Sequence, residues 1–222
     1  MENSECLIPA FGVLTEQQIT LINQSSNIIQ HKPGEIIFMT GRPVSHLIFI
    51  QSGLIKLYKP FEDNHEVILD IIPKGHIAGL TSLFYDNLYP YSATSVEKGE
   101  LVYTSIETIR KITAENGVYS IKLMTQLSSR VMHLIDKMIS ISRKQVTGRL
   151  AELLLHLSKN IYQSNTYTLP FSRQELADMV QTTKETISRT LTEFKNDKII
   201  ELEDRRITLK SLELLEILNK IG

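Results

Sequence analysis

The chain has 222 residues, of which 42% are hydrophobic and 22% charged, with a formal net charge of −1 and one cysteine, Cys6. This composition fits a globular protein of one or two domains and excludes a disordered or fibrous chain. It also excludes an iron–sulfur cluster held by four thiolates and a strongly basic field over the whole molecule, and no apolar run approaches the ~18 residues of a membrane span.

In chain order, the first ten residues carry Glu2 and Glu5 and no basic stretch ahead of an apolar one. That pattern predicts a cytoplasmic protein. Thr15 to Gln18 read as a capping box, with the Thr15 hydroxyl facing the Gln18 amide, so a short helix begins here. After Asn27 come short β-rich runs at 28–31, 35–38, 46–50, 54–59, 66–72, 92–96 and 101–105, separated by Gly and Pro pairs such as Pro33-Gly34 and Ser52-Gly53. Strands at this spacing predict a small antiparallel barrel or roll.

Helical periodicity follows. Met124, Leu127, Val131, Leu134, Met138 and Ile141 are spaced 3, 4, 3, 4, 3, a heptad seam on a helix of about 118–143. Such a seam faces either its own domain or a second copy of the chain. A long helix between two domains has few internal partners, which favours a parallel homodimer. The polar stretch 140–144 reads as a hinge. The domains expected are therefore 1–117, a sensor; 118–143, the dimer helix; and 144–222, a second globular unit opened by a helix at 147–162.

Residues 143–222 hold 13 basic against 11 acidic side chains, so a nucleic-acid contact there must be local. Ser172 with Glu175 forms a second capping box, followed by a short helix with Leu176, Met179 and Val180 on its buried stripe. Gln181-Thr182 is a turn, and Thr183 caps a second helix at 184–195. Lys184, Glu185, Ser188 and Arg189 share the outward stripe of that helix. Arginine suits guanine O6 and N7, and glutamate accepts from cytosine N4. The same stripe also suits a solvated helix face closed by a Glu185–Arg189 pair. The alternating segment 198–209, turning at Glu203-Asp204-Arg205, adds a hairpin with a basic tip, and two helices with a hairpin make a winged helix-turn-helix.

Val146 to Ala151, the helix-turn-helix and above all Lys184-Glu185-Thr186-Ile187-Ser188-Arg189 resemble the Crp/Fnr family of transcription regulators. The likeness runs from about residue 15 to the end. It implies an α+β fold: an N-terminal antiparallel β-roll like that of cyclic-nucleotide-binding domains, a long dimerisation helix, and a C-terminal winged helix-turn-helix. Glu185, Ser188 and Arg189 match the Glu-x-x-Ser-Arg signature of the oxygen- and nitric-oxide-sensing branch, which implies palindromic sites with TTGAT-like halves. The resemblance also implies phosphate contacts by Ser172, Arg173, Gln174, Thr183 and Thr186, with Arg205 and Arg206 on the wing. Double-stranded DNA, a second copy of the chain and RNA polymerase are the partners implied. Gln181 departs from the family, which commonly has glycine at that turn; in a left-handed conformation it costs about 1 kcal/mol.

In the sensor, the family's effector pocket falls on Gly79, Leu80, Thr81, Tyr91, Ser92, Leu134 and Ile135. Leu80 stands where the cyclic-nucleotide branch has Glu, Tyr91 where it has Arg, and Leu134-Ile135 where a Thr-Ser pair meets the purine. A buried cyclic phosphate needs a cation, so cyclic AMP is not expected. Haem stays open, with His76 and His133 as candidate ligands. Phe84, Tyr85, Tyr89 and Tyr91 form an aromatic group that serves as roll core or as the wall of an apolar pocket. The effector is thus not identified. An alternative function is an effector-binding module whose C-terminal domain docks on protein instead of DNA. No Ser/His/Asp set, P-loop, metal-ligand spacing or G-x-G-x-x-G is present, so an enzyme is not expected.

Overall fold

The computed structural model describes residues 6–9, 12–61 and 66–221; Glu2 and Glu5 lie outside the described residues. The chain divides into two compact units, 1–65 with 69–133, and 66–68 with 134–222.

The first unit opens with helix α1 (Glu16–Gln24), whose Thr15–Gln18 capping box is formed as expected. Eight strands follow: β1 (Ser26–His31), β2 (Ile36–Phe38), β3 (His46–Ile50), β4 (Leu54–Pro60), β5 (Glu66–Pro73), β6 (Ile77–Ala78), β7 (Ser92–Ser95) and β8 (Gly99–Ser105). They make two four-stranded sheets, ordered β1-β8-β3-β6 and β2-β7-β4-β5. The two-residue β6 and the one-turn helix α2 (Leu80–Phe84) between β6 and β7 are too short to leave a periodic signal. Leu47, Ile48, Ile50, Leu57, Ile72, Ala93, Leu101 and Val102 from these strands are buried in one hydrophobic core. Helix α3 (Ile106–Glu115) adds Ile109 and Ile112 to that core.

Helix α4 (Gly117–Arg143) runs for 27 residues. Its first turns bury Tyr119 and Leu123 in the roll core, and its last turn is fastened within the second unit. This is why the division between the units falls inside the helix, between His133 and Leu134, and not at either end of it.

The second unit continues with α5 (Val146–His156), which gives way to a π-helical turn at 157–162 where the sequence predicted one unbroken helix. The extra residue in that turn carries the chain to Gln163, left-handed at φ 50°, and into β9 (Thr166–Thr168). Then come α6 (Arg173–Val180), α7 (Lys184–Asn196), the hairpin β10 (Ile200–Glu203) and β11 (Arg206–Leu209), and α8 (Leu212–Ile221). Strand β9 pairs with β11, so the wing is a three-stranded sheet. Leu150, Leu154, Leu176, Ile187, Leu191, Phe194, Ile207 and Leu215 are buried in this unit. Among the described residues no helix is long and apolar enough to cross a membrane.

Candidate nucleic-acid interface

Helix α6 starts where Ser172 accepts from the Glu175 amide at 3.2 Å while Glu175 accepts from the Ser172 amide at 2.9 Å. The reciprocal cap satisfies two donors that a helix start leaves free. Leu176, Ala177, Met179 and Val180 face inward. Gln181 adopts φ 52° and ψ 66°, the left-handed conformation that glycine takes at no steric cost. The strain is held by the Thr182 amide, which donates to Ala177 O at 3.0 Å. Thr183 then caps α7 through the Thr186 amide at 3.2 Å.

Ile187, Thr190, Leu191 and Phe194 bury one face of α7. Its other face exposes Lys184, Glu185, Ser188, Arg189 and Thr192. Ser188 donates its hydroxyl proton back to Lys184 O at 2.9 Å, so as it stands its oxygen is an acceptor. Arg189 is 72% exposed and pairs with Glu193 at 3.9 Å, where the sequence suggested Glu185 as the partner. A contact so long and so wet holds the guanidinium only loosely.

Two further arginines come from the elements before and after α7. Arg173 begins α6, and Arg205 sits at the wing tip, whose backbone is pinned by the Leu169 amide donating to Arg205 O at 2.8 Å. Burial first, and then the nearby Arg205 charge, push the Arg173 guanidinium below its ordinary value. Like charges brought together in this way suit a shared anion, and a phosphodiester is one. Arg206 is exposed beside Arg205, and Asp204 makes the tight turn with φ 52°. Gln174 is exposed and donates to Asp178 at 2.9 Å. The base-facing and phosphate-facing residues read from sequence thus lie on α6, α7 and the wing of one unit.

The seam residues divide. Met124, Val131, Leu134 and Met138 are exposed, Ile141 is half-buried, and Leu127 packs inward against the roll core. Ile121, Met132, Ile135 and Ile139 extend the exposed apolar stripe.

In the roll, Gly79 is left-handed with φ 82° and leads into α2, while Leu80 is buried. Thr81 and Tyr91 share a hydrogen bond of 2.5 Å between hydroxyls. Burial raises the Tyr91 phenol, partly offset by that bond and by Arg130, so it stays neutral. Ser92 is buried, its oxygen accepting from the Thr40 amide at 3.0 Å. Leu134 and Ile135 belong to the second unit and are exposed. The aromatic group does not stay together. Tyr89 stacks on Phe38 at 4.1 Å and Tyr91 tilts against the same ring at 6.1 Å, whereas Phe84 and Tyr85 are on the surface.

Sequence reasoning missed the ion pair beside Tyr91. Asp70 on β5 is 8% exposed and holds Arg130 of α4 at 2.5 Å, with His133 at 3.8 Å. The signal was available, because Asp70 keeps phase with the buried Ile68 and Ile72 on its strand. His133 is exposed, and so is His76, which contacts Lys74 O at 3.3 Å. Among the described residues no group of three or more His, Cys, Asp or Glu converges as a metal site would need.

Comparison with known proteins agrees with this architecture. A profile of the cyclic nucleotide-binding domain matches residues 28–116, and one of the Crp-like helix-turn-helix domain matches residues 148–218. The global nitrogen regulator of Nostoc sp. is 25% identical over 78% of this chain and 80% of its own. The fumarate and nitrate reduction regulatory protein of Yersinia pestis is 26% identical over 87% of this chain and 80% of its own. The solved structure of FixK2 from Bradyrhizobium japonicum superposes with a TM-score of 0.80, at 21% identity, over 87% of this chain and 97% of that one.

Proposed function

Because the chain belongs to the Crp/Fnr family of transcription regulators, with a helix-turn-helix DNA-binding domain, we propose that it works as a cytoplasmic homodimer reading a palindromic, TTGAT-like site under the control of an effector in the roll. The observation that carries this reading is the exposed polar stripe Lys184, Glu185, Ser188 and Arg189 on an α7 that is capped by Thr183 and buried on its other face. Two such helices related by a dyad reach successive major grooves about 34 Å apart. Arg189 contacts the guanine, and Glu185 the paired cytosine or a neighbouring adenine amino group. Ser188 meets a thymine edge, through its Cβ or after its hydroxyl turns away from Lys184 O. Ser172, Arg173, Gln174, Thr183, Thr186, Arg205 and Arg206 position the phosphates. RNA polymerase is the partner through which the bound dimer acts.

The exposed face of α7 is wholly polar, which disfavours docking on a protein in place of DNA. Nothing in the reading calls for catalysis, in keeping with relatives that are regulators and not enzymes. The apolar stripe of α4 supports the dimer, since a lone helix does not keep so many large side chains in water.

The roll residues do not fit a cyclic phosphate. Tyr91 is neutral, Ser92 is already hydrogen-bonded, and the nearby Arg130 is neutralised by Asp70. Cyclic AMP is therefore not the effector proposed. One selection tests the whole reading: protein purified from its native host, with whatever ligand it carries, is incubated with random duplex DNA. A dyad-symmetric motif with TTGAT-like halves is expected, and the absence of any dyad-symmetric motif refutes the assignment.

A further inference from the structure

We propose that Arg149 is a positioning residue for DNA reading, one that locks the last turn of α4 to the turn of the helix-turn-helix and so fixes the angle at which the recognition helix leaves the dimer helix. The proposal rests on the DNA-binding, dimeric reading given above. Arg149 lies in the first turn of α5. Its Nη1 donates to Ile141 O at 3.0 Å and its Nη2 to Gln181 O at 3.3 Å, while its Nε is shielded and makes no hydrogen bond among the described residues.

Both acceptors matter. Ile141 is the third-last residue of α4, in the turn where helix carbonyls lack an amide partner and the helix dipole favours a cation. Gln181 is the left-handed residue that turns α6 towards α7. A guanidinium is a rigid fork whose two arms span two fixed oxygens, whereas a lysine ammonium satisfies them as a mobile point. The geometry of the fork is thereby impressed on the two elements.

A second set of contacts holds the same helix end without reaching that turn. Lys144 meets Glu152 at 3.1 Å and Asn219 at 2.5 Å, and the Ser140 hydroxyl donates to Glu152. These fasten α4 to α5 and α8. The stretch 140–144, which reads as a hinge in the sequence, is therefore gripped from several sides within the second unit. Arg149 alone among these side chains extends the grip to the turn that aims α7.

In a dimer, a small error in that angle is doubled across the dyad, so it is felt as a change in the preferred distance between half-sites. The test compares wild type, Arg149→Lys and Glu152→Gln on palindromic duplexes whose half-site separation varies in single base-pair steps. Wild type is expected to prefer one separation. Arg149→Lys flattens that preference by about tenfold, the loss of one charge-assisted hydrogen bond, with single half-site affinity kept within about twofold. Glu152→Gln keeps the wild-type profile.

Hydrogen exchange supplies a readout without DNA. In Arg149→Lys the amides of 141–145 and 181–183 exchange faster together, while those of the α7 interior do not change. An unchanged separation profile in Arg149→Lys overturns the proposal, as does faster exchange spread evenly over the domain. A wild type that binds no palindrome at any separation refutes the DNA reading instead, and the exchange experiment still decides whether Arg149 joins the two segments.

Discussion

Replacing Arg189 with Ala should separate base reading from folding. In the free protein the side chain is 72% exposed and its ion pair with Glu193 is 3.9 Å long. Exposed pairs of this kind contribute about 0–1 kcal/mol, so the thermal midpoint should barely move. On DNA the loss is larger. A bidentate arginine–guanine contact discriminates by about 1–3 kcal/mol, or roughly 5- to 150-fold at each half-site. Two half-sites bring the total to about 2–6 kcal/mol. The assay is fluorescence anisotropy at fixed salt, on a TTGAT palindrome and on the same duplex with the guanine replaced. Wild type should discriminate strongly between the two, and Arg189→Ala should bind both with the weaker affinity. If the variant loses equally on every sequence, Arg189 holds a phosphate. If it loses nothing, α7 does not read bases as argued. Either result refutes the reasoning.

Arg206→Ala should weaken binding to all sequences alike and lower the slope of log K against log salt by about one unit, measured by anisotropy from low to physiological salt. A double change of Leu134 and Met138 to Glu, at two exposed positions of the α4 stripe, should convert a dimer to a monomer in sedimentation without unfolding it. Titration calorimetry with cyclic AMP should give no submicromolar binding, since Arg130, the cation beside Tyr91, is already paired with Asp70. Arg130→Met should destabilise the protein by about 3–5 kcal/mol by leaving Asp70 buried and unpaired, and the double variant with Asp70→Asn should recover most of the lost thermal midpoint.

What the sequence revealed follows from the size of each signal. Capping boxes at Thr15 and Ser172 were legible because two side-chain positions three residues apart define them, and both are formed. The left-handed turn at Gln181 was legible only through the resemblance, because glutamine itself does not ask for that conformation. Strand β9, at three residues, was hidden because its partner β11 is almost 40 residues away. The inward packing of Leu127 could not be separated from the seam by periodicity, since neighbouring faces of one helix differ by a single step. Arg149 was passed over for a related reason. Its partners are backbone carbonyls, and main-chain acceptors leave no mark in a sequence.

The Asp70–Arg130 pair gives the roll an internal counter-ion. An anion that approached Arg130 would compete with a carboxylate already in place and already accepting from the Ile71 amide at 2.8 Å. A neutral effector meets no such rival. Under the proposed reading, a phosphate entering the roll would have to displace Asp70 from Arg130, a competition that an uncharged effector would not meet.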